Sequence, residues 1–342
     1  MRAIQLQRPA PIARDPLSAA DLDRPEPSPG QLLLAVSACA VCRTDLQLTT
    51  GDLPAHRLPI VPGHQAVGRV VAVGRDVDGW AVGDRAGVTW LAGFCGHCEY
   101  CRTDRQNLCP RATFTGWDVD GGYAEAMTVR ADVAVHLPPN LDDQAAAPLL
   151  CGGVIGYRAL RLAGALDWSG SIGRRMRIGL YGFGASASLA IQIAVHLGHR
   201  VHVASRSPQD LERARELGAA SAAGYADQPP EPLDAAITFA PVGSVVIDAL
   251  RALAPGGSVV INAIHLDGIP AFDYDLLWEE RGLRSVANVT PRDATEFLAL
   301  AAEIPVQTTA HPYPLAHANR ALVDLDAGRI GAGAAVLVVA PG

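Results

Sequence analysis

Cysteine carries the strongest chemical signal in this chain. Cys95, Cys98, Cys101 and Cys109 follow one another as C-x2-C-x2-C-x7-C in a glycine-containing loop. Four thiolates held that close can enclose one tetrahedral ion, and soft sulfur donors in fours suit Zn2+ or an iron–sulfur cluster. A zinc ion closed off by four sulfurs has no vacant position for a substrate, so the group reads as a structural centre. Structural zinc contributes roughly 10 to 16 kcal/mol of apparent binding energy, enough to order a loop that buries little apolar surface. A second set is more dispersed. Cys42 stands in Cys42-Arg43-Thr44-Asp45, His64 in Pro62-Gly63-His64-Gln65 and Cys151 in Leu150-Cys151-Gly152-Gly153. Two sulfurs and one imidazole would make an open zinc site with a fourth position for water or a substrate oxygen. These residues lie far apart in the chain, and spacing alone does not assign them. Cys39, in a small apolar stretch, reads as buried packing.

The elements that must position such residues change character near residue 150. Before it, β-rich runs such as Gln31 to Ala38, Ala66 to Val73 and Ala124 to Val129 are separated by Pro and Gly turns, which predicts a barrel-like β domain. After it, strands alternate with helices: Arg177 to Tyr181, then a helix over Ala185 to Leu197, a strand over Arg200 to Ala204, a helix over Leu211 to Leu217, a strand over Ala235 to Phe239, a helix over Val245 to Leu253 and a strand over Ser258 to Ala263. That alternation predicts a doubly wound parallel sheet, an α/β architecture. Asp293 to Glu303 and Ala334 to Val339 add a helix and a strand that could return to the first domain.

Composition bounds the class. The chain has 342 residues, 49% hydrophobic and 18% charged, which is ample for two ordinary cores. A net charge of −7 without any basic block argues against nucleic acid or an anionic membrane as partner. Every one of the 28 basic side chains is arginine, which leaves arginine as the side-chain cation for a phosphate. No long uncharged apolar run opens the sequence. The cysteines are therefore expected to be metal ligands in a reducing compartment, and a cytoplasmic location is expected.

The turn after the first strand of the alternating half is Gly182-Phe183-Gly184-Ala185-Ser186-Ala187, a G-x-G-x-x-A form of the dinucleotide fingerprint. Gly182 would permit the tight turn, Gly184 would let a pyrophosphate approach the backbone, and Ala187 would keep helix and strand close. At the end of the second strand, where a carboxylate would bind a free ribose diol, the chain has Ser205-Arg206-Ser207. Two hydroxyls and a guanidinium suit a 2′-phosphate, so NADP(H) is expected over NAD(H). Asp210 lies close enough in sequence to swing in, and Arg213 is a second phosphate candidate.

The order C-x-T-D, G-H-x-x-x-G, four-cysteine loop, Asp120-Gly121-Gly122-Tyr123-Ala124-Glu125-Ala126, L-C-x-G and G-x-G-x-x-A spans nearly the whole chain. It resembles the zinc-dependent alcohol dehydrogenases of the medium-chain dehydrogenase/reductase superfamily. The stretches from Leu149 to Tyr157 and from Gly182 to Ala187 are similar to a bacterial branch related to cinnamyl alcohol dehydrogenases. The resemblance implies a GroES-like β-rich catalytic domain over residues 1–151, with a returning segment 289–342, around a Rossmann domain over 152–288. It implies two Zn2+ per chain, a catalytic ion on Cys42, His64 and Cys151 and a structural ion on Cys95, Cys98, Cys101 and Cys109. It implies that Asp45 orients His64, that Arg43 lies near the cofactor pyrophosphate, and that the Thr44 hydroxyl passes a proton between substrate oxygen and cofactor ribose. NADP(H), a primary alcohol or aldehyde as small-molecule substrate, and a homodimer or homotetramer are implied too. With NADPH, aldehyde reduction is the expected direction. Trp90, Leu91, Trp117 and Ile155 are candidates for an apolar pocket wall.

Two positions depart from the family pattern. Gln65 stands where the family usually has Glu beside the zinc histidine, and Gln47 where many members place the histidine that ends a proton relay. Neither amide titrates. That keeps open a biosynthetic tailoring reductase delivering hydride to a conjugated C=C or C=N bond, where no alkoxide forms. A cofactor-binding sensor without turnover is a further alternative, against which Cys42, His64, Cys151 and Thr44 speak.

Overall fold

Runs of β-branched and small apolar residues between glycine and proline turns make the first part of the chain strand-rich. The structure, a computed structural model, describes residues 1–166, 174–263, 266–304, 306–331 and 333–339. The chain divides into two compact units, Met1–Cys151 with Asn288–Glu303 and Thr308–Gly342, and Gly152–Ala287 with Ile304–Gln307.

In the first unit, β1 (Arg2–Leu6) and β2 (Leu17–Asp21) form an antiparallel ribbon. The long strand β3 (Gln31–Val41) organises the main sheet, with Leu32, Leu34, Val36, Ala38 and Ala40 all buried. Helix α1 (Arg43–Thr50) follows at once and ends at Gly51, whose φ of 94° is the left-handed stop that glycine supplies. Strand β4 (Ala66–Val73) runs antiparallel to β3, with Cys39 opposite Ala66. Then come β5 (Arg85–Val88), β6 (Leu91–Gly93), the single-turn helix α2 (Glu99–Arg102), β7 (Thr113–Phe114), β8 (Ala126–Arg130), β9 (Val135–His136) and α3 (Asp143–Ala146).

Beyond Cys151 the chain enters the second unit through α4 (Gly152–Leu162). The alternating segment then builds β10 (Arg177–Tyr181), α5 (Ala185–His196), β11 (Arg200–Ala204), α6 (Pro208–Glu216), β12 (Ser221–Ala223), β13 (Leu233–Thr238), α7 (Gly243–Arg251), β14 (Leu253–Ile261) and β15 (Gly282–Ser285). Every pairing in this six-stranded sheet is parallel, in the order β12-β11-β10-β13-β14-β15. Strand order reverses between β10 and β13, which in such sheets opens a ligand crevice at the strand carboxyl ends. The doubly wound sheet expected from the alternation is therefore present. Helices α6 and α7 begin two or three residues earlier than periodicity indicates, because Ser207 caps the one and Gly243 opens the other.

The chain returns to the first unit with α8 (Pro291–Glu303), β16 (Ala310–Pro314), α9 (Ala318–Asp326) and β17 (Ala334–Val338). Strand β17 pairs antiparallel with β3, setting Leu337 opposite Cys39, and so completes the sheet that carries Cys42.

Candidate active site and metal centres

Cys42 leaves β3 in an extended conformation and becomes the N-cap of α1. Its Sγ accepts the Thr44 amide at 3.4 Å, while the Asp45 carboxylate accepts the Cys42 amide at 2.9 Å. This is a reciprocal capping box with cysteine in the usual place of Ser or Thr. The cap also aims Asp45: its other oxygen receives His64 Nδ1 at 3.2 Å, and His64 Nε2 then lies 3.3 Å from Cys42 Sγ. His64 is 1% exposed, on a loop that Gly63 turns at φ 97°. Cys151 arrives from the start of α4, and the donor atoms of Cys42, His64 and Cys151 all lie within 4.8 Å of one another.

The electrostatics follow from this crowding. A hydrogen bond from Cys151, reinforced by His64, holds the Cys42 thiol well below its ordinary range. The same bond, together with burial, pushes Cys151 well above it. Burial opposes charge on His64, but Cys42 and Asp45 outweigh it and raise the imidazole to about 10. Burial raises the Asp45 carboxyl, against the pull of His64. Two soft sulfurs and an imidazole whose far nitrogen is fixed by a carboxylate form a donor set that fits zinc with a position to spare.

The other cysteine group also converges. Cys95, Cys98, Cys101 and Cys109 offer sulfurs within 4.8 Å of one another. Backbone amides of Cys98 and Cys95 donate to the sulfurs of Cys95 and Cys109, each at 3.4 Å, and the Arg111 amide donates to Cys109 at 3.4 Å. Such N–H···S bonds favour thiolates. The approach of Cys98 to Cys101, 3.4 Å, is far longer than a disulfide, and all seven cysteines are free. Four sulfurs cradled by amides fit a closed zinc centre.

In the second unit, Gly182 has φ 91°, and a Cβ there would sit 2.7 Å from the Ala240 nitrogen, so glycine is required. Gly184 is the N-cap of α5 and offers no side chain to its first-turn amides, which leaves them for an anion; a Cβ on it would meet nothing within 4 Å. Ala187 is fully buried in the helix. Ser205 is buried and Arg206 exposed, while Ser207 accepts the Asp210 amide as the cap of α6. Arg213 turns instead to Glu216 and Gln307, at 3.1 and 3.2 Å. Arg43, in the first unit, is exposed and lies 3.6 Å from Asp326. Thr44 is 9% exposed on the first turn of α1.

Spacing in the sequence does not foretell the aromatic column beside His64. Trp90 meets the His64 ring edge-on at 4.8 Å and stacks with Phe114 at 5.5 Å and with Trp117 at 5.8 Å. Trp117 stacks in turn on His56 at 3.8 Å, and its indole donates to the Pro54 carbonyl at 2.8 Å. Trp90 and Trp117 therefore share a wall with Phe114 and His56. Leu91, by contrast, is 1% exposed and part of the core. Fully buried Tyr123 fills the space beside Gly63 and Cys39.

Residues 28–139 match the family model of the alcohol dehydrogenase GroES-like domain, and residues 187–303 that of the zinc-binding dehydrogenases. The chain is 50% identical to "Probable alcohol dehydrogenase AdhA" of Mycobacterium tuberculosis (strain CDC 1551 / Oshkosh), over 99% of this chain and 97% of the relative. The crystal structure of AibC superposes with a TM-score of 0.89 at 27% identity, covering 99% of this chain and 96% of that one. A cinnamyl alcohol dehydrogenase of Sorghum bicolor shares the fold with a TM-score of 0.87 at 24% identity, over 98% and 97% of the two chains. This chain belongs to the zinc-dependent alcohol dehydrogenases of the medium-chain dehydrogenase/reductase superfamily.

Proposed function

We propose that this alcohol dehydrogenase interconverts primary alcohols and aldehydes with NADP(H), favours aldehyde reduction, and holds a catalytic zinc on Cys42, His64 and Cys151 and a structural zinc on Cys95, Cys98, Cys101 and Cys109. The observation that carries the reading is the convergence of two thiols and an imidazole from three separate segments, with Asp45 fixing the imidazole. When bound, zinc supplies Lewis acidity toward the substrate oxygen, and the nicotinamide exchanges hydride with the substrate carbon.

The chain's own residues do the rest. Asp45 keeps Nδ1 of His64 occupied, so that Nε2 faces the sulfurs. Thr44 follows Cys42 by two residues on the same capped turn, which puts its hydroxyl in the segment that presents the sulfur, and it moves the substrate proton. Trp90, Phe114 and Trp117 form an apolar wall suited to the carbon chain and to keeping water away. Arg206, exposed and without a hydrogen bond or ion pair among the described residues, supports NADP(H). A homodimer or homotetramer is supported by the edge of β15, unpaired among the described residues, and by Tyr274 and Trp278 shortly before it in the chain, which are 67% and 61% exposed.

The test is steady-state turnover on a panel of aldehydes and the matching enals with NADPH and NADH. Carbonyl reduction with a lower KM for NADPH is expected. Saturation of the alkene with the aldehyde left intact would replace this reading with that of a conjugated-bond reductase, which the amides at Gln47 and Gln65 would suit.

A further inference from the structure

The carboxyl end of β11 has a carboxylate beside it that the strand itself lacks. Ser205, 3% exposed, donates its hydroxyl to Asp210 Oδ2 at 3.0 Å and accepts the Ser207 amide at 3.3 Å. The Asp210 amide in turn donates to Ser207 Oγ at 3.2 Å. Asp210 is thus tied by backbone and side chain to both serines of the turn. Of the donors that Ser205-Arg206-Ser207 offers a phosphate, one hydroxyl proton is already committed to an anion. Arg206 is the opposite case, exposed and without a hydrogen bond or ion pair among the described residues. Arg213, which could have added a second cation, is held by Glu216 and Gln307. Tyr225 shares this neighbourhood and feels both Arg206 and Asp210.

In a dinucleotide-binding sheet the end of the second strand receives the adenosine ribose. A carboxylate there accepts from a free diol, whereas a guanidinium attracts a 2′-phosphate. Here a single turn holds one of each, the anion fixed and the cation free. We propose that Asp210 is a specificity-determining residue that limits the preference for the 2′-phosphorylated cofactor: Arg206 draws the phosphate in, and Asp210, pinned by Ser205, opposes it and serves a free ribose instead. The proposal rests on the reading that this turn receives the adenosine ribose. Even at the screening of bulk water, repulsion between unit charges about 4 Å apart is worth about fivefold in binding, and it grows where the protein displaces solvent.

Isothermal titration of the full-length protein with 2′,5′-ADP and with 5′-AMP tests it without turnover. Asp210→Asn removes the charge and keeps an acceptor for Ser205. The Kd for 2′,5′-ADP should fall about fivefold or more, while that for 5′-AMP should not fall. Asp210→Ser, which keeps a small polar group in the first turn of α6, should shift in the same direction. An unchanged affinity for 2′,5′-ADP in both variants, or an equal tightening of both nucleotides, overturns the proposal. A wild type that binds 5′-AMP more tightly than 2′,5′-ADP would instead overturn the NADP(H) reading, with the Asp210→Asn shift still expected, so the two fail separately.

Discussion

Single residues around His64 do several tasks at once. Gly63 holds φ 97°, and a Cβ on it would sit 2.3 Å from the Tyr123 ring, so Gly63→Ala meets both backbone strain and a clash with a fully buried side chain. Such strain costs about 1 to 3 kcal/mol, and the clash adds to it. The expected outcome is a lower Tm together with weaker retention of one metal equivalent against a chelator, because His64 is the next residue. A variant with wild-type Tm and metal retention would contradict the packing account. Gln47 gives a second test. Its Oε1 is buried without a hydrogen-bond partner among the described residues, and the amide carries no titratable proton. Gln47→His should raise alcohol oxidation at about pH 6.5, where imidazole changes charge, and steepen the pH–rate profile there. An unchanged profile would show that a base at this position adds nothing.

Elements, not isolated side chains, bring these residues into register, and they differ in how clearly the sequence announces them. Asp234, at the start of β13, shows how the parallel sheet is tied: it accepts the Arg177 amide at 2.8 Å and the guanidinium groups of Arg177 and Arg174 at 2.8 and 2.9 Å. Hydrogen bonds from Arg177 foremost hold its carboxyl well below the ordinary carboxylate range. A folded-state pKa below the unfolded value means the stabilisation is complete above about pH 4 and is lost as pH falls toward the folded value. Asp234→Asn should therefore cost about 1 to 3 kcal/mol at neutral pH, and denaturant melts should show the gap closing in acid. A gap independent of pH would contradict the assignment. The α/β unit was legible because β10, β11 and residues 258–261 of β14 are short runs dominated by apolar residues and glycine marks the turns. Strands β1 and β2 were not, since residues 7–16 between them are Pro- and Arg-punctuated and carry no tight hairpin turn. Helix α1 was hidden because its N-cap is a cysteine, and α4 because it opens with two glycines, poor helix formers. Strand β16 contains two prolines, which fit only an edge. The zinc-ligand candidates themselves were legible as residue types in order. The aromatic column was not, because His56 and Trp90 come from segments remote in sequence from Phe114 of β7 and nearby Trp117, and the four meet only in the folded unit.

At the scale of the whole molecule, the proposed function requires two metal centres with different tasks, one closed by four sulfurs and one open. No helix among the described residues is long and apolar enough to cross a membrane, and the net charge of −7 gives no attraction for polyanions. The two centres should separate on mutation. Cys98→Ser should lower Tm and loosen the loop from Cys95 to Cys109, measured as faster proteolysis there, while nucleotide affinity is kept; wild-type Tm and proteolysis would contradict a structural role. The most direct measurement is metal content per chain by elemental analysis after purification in zinc-replete buffer, on wild type and on Cys42→Ser. The two donor groups predict two zinc ions per wild-type chain and one in the variant, with aldehyde reduction abolished. A wild-type chain with a single zinc, or a Cys42→Ser protein that keeps both ions and its turnover, would contradict the account.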